Sequence, residues 1–213
     1  MKAKIIPKKK SKTVVSFILD ETGSMISRKG ETVRGVNEFI QSMKKEKGDV
    51  VFSLTKFGGT RVQLSYDKTE MKKVKEFTET DYHPDGMTPL YDAVGKTIRS
   101  LEKEVKKNDK VVFVILTDGE ENASKEYNTT SIKALIKEKE DKDWKFTYVA
   151  DKMNGRDASL TAASSLGIAG SHTMTYDPNN TVMTWSSMTA GVSSYAQSAT
   201  RSTTGRNFFN TGS

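Results

Sequence analysis

Residues Thr13 to Leu19 (TVVSFIL) form a continuous apolar, β-branched run that ends at Asp20, the pattern of a strand buried on both faces. A Gly/Ser loop follows. Val33, Val36, Phe39, Ile40 and Met43 then recur at spacings of three and four, which predicts a helix over Thr32–Lys45 with one apolar face. Val50–Phe57 and Arg61–Tyr66 read as strands. The short connector Gly58-Gly59-Thr60 makes them an antiparallel hairpin, with the second strand shorter and more polar, as at a sheet edge. Asp67–Thr80 is charged and only loosely periodic. Pro89 suits the first turn of a helix carrying Leu90, Ala93, Val94, Ile98, Leu101 and Val105. Lys110–Thr117 is the second fully apolar strand, and it too ends in an aspartate, at Asp118-Gly119.

The rest of the chain continues the alternation. A helix is predicted over Thr130–Glu140 with Thr129 or Thr130 as cap, a strand over Trp144–Ala150, a short helix over Ala158–Leu166 and a short strand over His172–Thr175. A last helix starts after Asp177-Pro178, with Val182, Trp185, Met188, Val192 and Tyr195 on one face. Strands alternating with helices imply an α/β fold: a doubly wound, mostly parallel central sheet with one antiparallel edge strand and helices on both faces. No internal repeat or linker interrupts it. The expected organisation is a basic N-terminal tail over 1–12, one domain over 13–197, and a Ser/Thr/Asn/Gly-rich polar tail over 198–213, mobile or ordered by a partner.

Composition adds limits. A chain of 213 residues can bury a full core without disulfides, and it contains no cysteine, which fits a reducing compartment. The formal net charge is +7, but six lysines crowd into the first 12 residues, so the excess reads as a solvated tail and not as a nucleic-acid surface. The N-terminus lacks the apolar run of a signal peptide, and the longest strongly apolar stretch, Val111–Leu116, is too short to span a bilayer. The expectation is a soluble, cytoplasmic protein with no membrane or nucleic-acid partner, virion-associated if phage-encoded.

Both of the most buried strands deliver an aspartate to their carboxyl ends, where open α/β sheets place their ligands. In Asp20-Glu21-Thr22-Gly23-Ser24-Met25, three oxygen-bearing residues alternate. An extended stretch points all three the same way, and such oxygens are hard ligands suited to Mg²⁺, Mn²⁺ or Ca²⁺. This loop, the segment Gly86-Met87-Thr88-Pro89-Leu90-Tyr91-Asp92-Ala93 and the segment Leu116-Thr117-Asp118-Gly119-Glu120 follow one another in the order and spacing of the von Willebrand factor A domain. The chain resembles that family from about Thr13 to Tyr195, particularly its compact single-domain bacterial and phage members. The resemblance implies a metal-ion-dependent adhesion site formed by Asp20, Thr22, Ser24, Thr88 and Asp118. Ser24 and Thr88 would coordinate through their hydroxyls and the aspartates directly or through water. One position would stay open for a carboxylate from a protein partner. Glu21, Met25, Asp85, Met87 and Glu120 would form the rim. Two positions depart from the usual pattern: Thr22 stands where serine is commoner, and Met87 replaces a glycine that many members have before the threonine.

The resemblance thus implies a binding module and not an enzyme. A phosphatase of the haloacid dehalogenase type also ends an apolar strand in Asp, but it needs a second carboxylate two residues on, where this chain has Thr22. No other general base accompanies Asp20, so a metal-dependent hydrolase is the weaker alternative. A structural or assembly role, for example in a phage particle, is the other alternative; Phe208 and Phe209 in the polar tail then read as a docking element, against the plainer reading of a disordered remnant. His83 and His172 are too few for a zinc site and read as surface or packing residues.

Overall fold

The computed structural model describes residues 11–151, 155–176, 181–198 and 208–209. The expected architecture is present. A six-stranded sheet runs in the order β3-β2-β1-β4-β5-β6, with strands β1 (Thr13–Asp20), β2 (Val50–Gly58), β3 (Arg61–Glu70), β4 (Lys110–Thr117), β5 (Lys145–Asp151) and β6 (Thr173–Tyr176). All neighbours pair in parallel except β2 and β3. The helices are α1 (Lys29–Lys45), α2 (Leu90–Glu102), α3 (Thr129–Glu140), α4 (Gly155–Ser165) and α5 (Thr181–Gln197).

Every residue of β1, β2 and β4 is buried. Alternation sorts their side chains into two cores. Val15, Phe17 and Leu19 face the layer built from α1 and α5, with Phe39, Ile40, Trp185 and Met188. Val14 and Ile18 face the opposite layer, with Val94 and Ile98 of α2 and Ile132 and Ile136 of α3. The chain therefore leaves β1 toward one face and enters β4 from the other. Their carboxyl ends flank a topological switch point, where a crevice opens.

Several expectations shift in detail. A 3-10 turn, Gly23–Arg28, precedes α1, and α1 itself starts at Lys29, three residues earlier than its apolar periodicity shows. The edge strand β3 is longer than β2, at 10 residues against 9. Its alternation is broken by register irregularities opposite Phe52–Thr55 and by Lys68 at φ 40°, which hides its second half in the sequence. Helix α2 ends before Val105. The cap of α3 is Asn128, whose side chain accepts the Ser131 N–H, and not Thr129 or Thr130. In the polar tail, Phe208 and Phe209 pack on the α1/α5 core. A Cβ on Gly191 of α5 would lie 2.7 Å from the Phe208 carbonyl oxygen, so the seat needs a glycine. Among the described residues no helix is long and apolar enough to cross a membrane.

Candidate metal centre

The parallel register of β1 and β4 sets Leu19 opposite Leu116, so Asp20 comes level with Thr117. Thr117 Oγ1 donates to Asp20 Oδ2 at 2.5 Å, and the Thr22 backbone N–H donates to Asp20 Oδ1 at 2.8 Å. The Tyr82 hydroxyl donates to the Asp20 carbonyl. Both carboxylate oxygens of this fully buried residue are thereby held. Burial pushes the Asp20 carboxyl up to about 6, opposed by the hydrogen bonds from Thr117 and Thr22, while the charge of Asp118 adds to the push.

Thr22 is extended and begins the 3-10 turn. Its hydroxyl lies 3.1 Å from Ser24 Oγ, and Ser24 Oγ donates to Asp118 Oδ1 at 2.6 Å. Thr88 arrives from the amino end of α2. A Cβ on Gly119 would lie 3.0 Å from Thr88 Oγ1 and 3.6 Å from Asp20 Oδ2. Gly119 thus keeps clear the space between these two ligand candidates. All five residues that the sequence singles out are brought together by three separate segments.

Two carboxylates and three hydroxyls make a compact set of hard oxygens, which suits Mg²⁺ or Mn²⁺. Among the described residues no three Asp, Glu or His side chains converge to hold a metal ion, so a cation here would depend on the hydroxyls as well. A divalent cation would also offset the cost of burying Asp20 beside Asp118.

The rim differs from expectation at two of its five positions. Glu21 and Met25 are buried. Alternation along the loop turns Glu21 away from Asp20 and Thr22. It pairs with Lys56 at 3.0 Å and accepts the His83 backbone N–H at 2.6 Å. Met25 inserts into the α1/α5 core. Asp85, Met87 and Glu120 are exposed.

The walls of the site depend on residues whose part the sequence does not disclose. Lys56 Nζ also donates to the Asp81 carbonyl, which ties segment 81–86 to the first loop. Gly86, at φ 76°, sits against the β2–β3 turn, where a Cβ would lie 2.6 Å from Gly59 Cα. Its carbonyl accepts the Gly23 N–H at 3.0 Å. Opposite, Asn122 Oδ1 accepts the Thr88 N–H at 2.8 Å, and the Asn122 N–H donates back to the Thr88 carbonyl at 3.1 Å. Glu121 accepts the Tyr91 N–H in the first turn of α2 at 2.8 Å, as well as those of Ala123 and Ser124. Asp92 accepts the N–H groups of Lys125, Glu126 and Tyr127. A polar run after a buried strand signals a structured loop, but the backbone donors that each side chain serves become visible only in three dimensions.

Comparison with known proteins bears on the fold and the family. A family model for the von Willebrand factor type A domain matches residues 15–183. No curated protein sequence matches the chain. Among solved structures, proximal thread matrix protein 1 from the mussel byssus superposes with a TM-score of 0.60 at 15% identity, covering 88% of this chain and 46% of that one. The chain thus spans about half the length of that protein. The vWF domain of the type V pili tip protein Mfa5 from Porphyromonas gingivalis superposes with a TM-score of 0.68 at 9% identity, covering 90% and 98% of the two chains. The manganese-loaded TRAP protein of Plasmodium vivax gives 0.55 at 12% identity, covering 81% and 71%. At these identities the likeness is one of fold.

Proposed function

The chain belongs to the von Willebrand factor type A domain family, and on that premise we propose that it is a divalent-metal-dependent protein-binding module. In this reading Asp20, Thr22, Ser24, Thr88 and Asp118 form a metal-ion-dependent adhesion site for Mg²⁺ or Mn²⁺. The cation would leave one position for an Asp or Glu carboxylate of a protein partner. The observation that carries the proposal is the convergence of Ser24, Thr22 and Asp118 through contacts of 3.1 and 2.6 Å, with Thr22 also donating its backbone N–H to the Asp20 carboxylate. The three hydroxyls bring no charge, so only Asp20 and Asp118 offset a bound divalent cation, which at an open position still takes an anionic oxygen as ligand. The manganese-loaded state of the Plasmodium vivax TRAP protein and the pilus-tip setting of Mfa5 are consistent with metal binding and attachment.

Binding fits the site better than hydrolysis. The one additional carboxylate in the first loop, Glu21, is engaged by Lys56 and the His83 N–H and faces away from the cluster. It is not placed to activate water.

Calorimetric titration with Mg²⁺ tests the assignment on wild type, Asp20→Ala and Ser24→Ala. Ser24 is exposed, so its variant keeps the fold while losing a ligand. Both variants should lose at least about tenfold in Mg²⁺ affinity, the scale on which a lost ligand or its support acts. Unchanged affinity in a folded Ser24→Ala protein would remove the site.

A further inference from the structure

Three large apolar side chains are strongly exposed among the described residues: Ile26 at 63%, Met87 at 56% and Leu64 at 48%. The first two belong to the loops that carry the candidate site. Ile26 follows Ser24 by two residues, and Met87 directly precedes Thr88. The loops are joined by the Gly23–Gly86 hydrogen bond, and the Met87 carbonyl accepts the Gly59 N–H at 2.8 Å. Their exposure does not come from loops lifted off the body, because the adjacent Met25 and Thr88 are buried. Single exposed apolar residues need no explanation. A pair held on fixed backbone on two of the three segments that build one polar cluster is a different arrangement, apolar side chains on the loops of a hard, charged centre. Asp85 and Glu120 are exposed on the same loop system.

Resting on the reading of the cluster as a cation site open to a carboxylate, we infer that its partner segment presents a single Asp or Glu flanked by apolar side chains, with Ile26 and Met87 as the residues that set this specificity. Charge complementarity selects one carboxylate at the cation. Further carboxylates would meet Asp85 and Glu120, so an acidic run is disfavoured despite the chain's net charge of +7. The apolar flanks would cover Ile26 and Met87, as a buried apolar contact beside a polar anchor does at other interfaces.

Three short peptides probe this against the full chain by NMR titration with and without Mg²⁺. One carries Leu-Glu-Leu, one Ser-Glu-Ser and one Glu-Glu-Glu, each between capped glycines. In Mg²⁺ the Leu-flanked peptide should bind about tenfold more tightly than the Ser-flanked one, the effect of partly covering two apolar side chains less the cost of ordering them. The double variant Ile26→Ser/Met87→Ser should lose that preference and keep its Mg²⁺ affinity. Equal binding of the Leu- and Ser-flanked peptides, tightest binding of the triple-Glu peptide, or an undiminished preference in the double variant would each overturn the inference while leaving the metal site standing. Peptide binding indifferent to Mg²⁺, or none at all, would take down the metal-site reading and this one together.

Discussion

On one side of the candidate site, the loop after β1 is tied to segment 81–86 through the buried pair of Glu21 and Lys56, at 3% and 6% exposure. On the other side, Thr88 and the loop 119–127 are held by Asn122, Glu121 and Asp92, which accept backbone N–H groups. The first wall concentrates its hold in one charge pair, and each member is compensated by the other. The second spreads its hold over many donors, so each loss stays local. A buried ion pair contributes little net stability over an apolar substitute, yet costs much when half of it is removed. A carboxylate ringed by backbone donors weakens in smaller steps.

Lys56→Met should therefore have the largest effect, a loss of about 3–5 kcal/mol, because it strands Glu21 as an unpaired buried charge. Urea unfolding followed by circular dichroism measures it. The double variant Glu21→Gln/Lys56→Met should recover part of that loss. A single-variant loss no larger than about 1–3 kcal/mol would place this wall in the same class as the other.

Asp92→Asn comes next, at about 1–3 kcal/mol, since the amide presents donors where three backbone N–H groups point. This difference also depends on pH. Burial raises the Asp92 carboxyl, but the backbone donors from Lys125, Tyr127 and Glu126 outweigh it and hold the group below its ordinary value. A group depressed in the folded state stabilises above its unfolded pKa of about 3.9 and loses that contribution as pH falls through its folded value. The stability gap between wild type and Asp92→Asn should thus be flat from neutral pH down to about 4.5 and close below that. Urea midpoints measured at a series of pH values report the gap, and one independent of pH would assign the hold to packing alone.

How much of this could be read from the chain follows the same division. Strands β1 and β4 are plain in the sequence because burial on both faces leaves unbroken apolar runs, and Asp20 and Asp118 mark their ends. The order of the three loop segments then brings out Thr22, Ser24 and Thr88. Elements set by local exceptions are harder to see. The 3-10 turn Gly23–Arg28 buries only Met25, so no apolar period announces it. The far half of β3 is masked by the irregularities around Phe52–Thr55 and Lys68. Glu21 and Met25 look like rim residues because they adjoin the ligand candidates, but the side a residue takes in a turn depends on backbone direction. Lys56 lies 35 residues from its partner Glu21, so no local pattern connects them. Thr117 and Asn122 support their neighbours through contacts that residue type alone does not specify.

Asn122 gives the smallest and most discriminating effect. Its Oδ1 accepts the Thr88 N–H while its own N–H reaches the Thr88 carbonyl. It therefore fixes the backbone of Thr88, whose hydroxyl belongs to the cluster. Its side chain is exposed, so Asn122→Ala should cost only about 1 kcal/mol of stability, the net worth of one hydrogen bond. If Thr88 is a ligand, the same change should lower Mg²⁺ affinity about tenfold, because supporting contacts orient the groups that hold a metal. Asn122→Asp keeps the acceptor and should restore most of the affinity. A purely structural role would move unfolding and Mg²⁺ binding together in both variants. Loss of affinity without matching loss of stability, rescued by Asp, separates the two. An Asn122→Ala protein with full Mg²⁺ affinity would show that the second wall shapes the loop without placing Thr88.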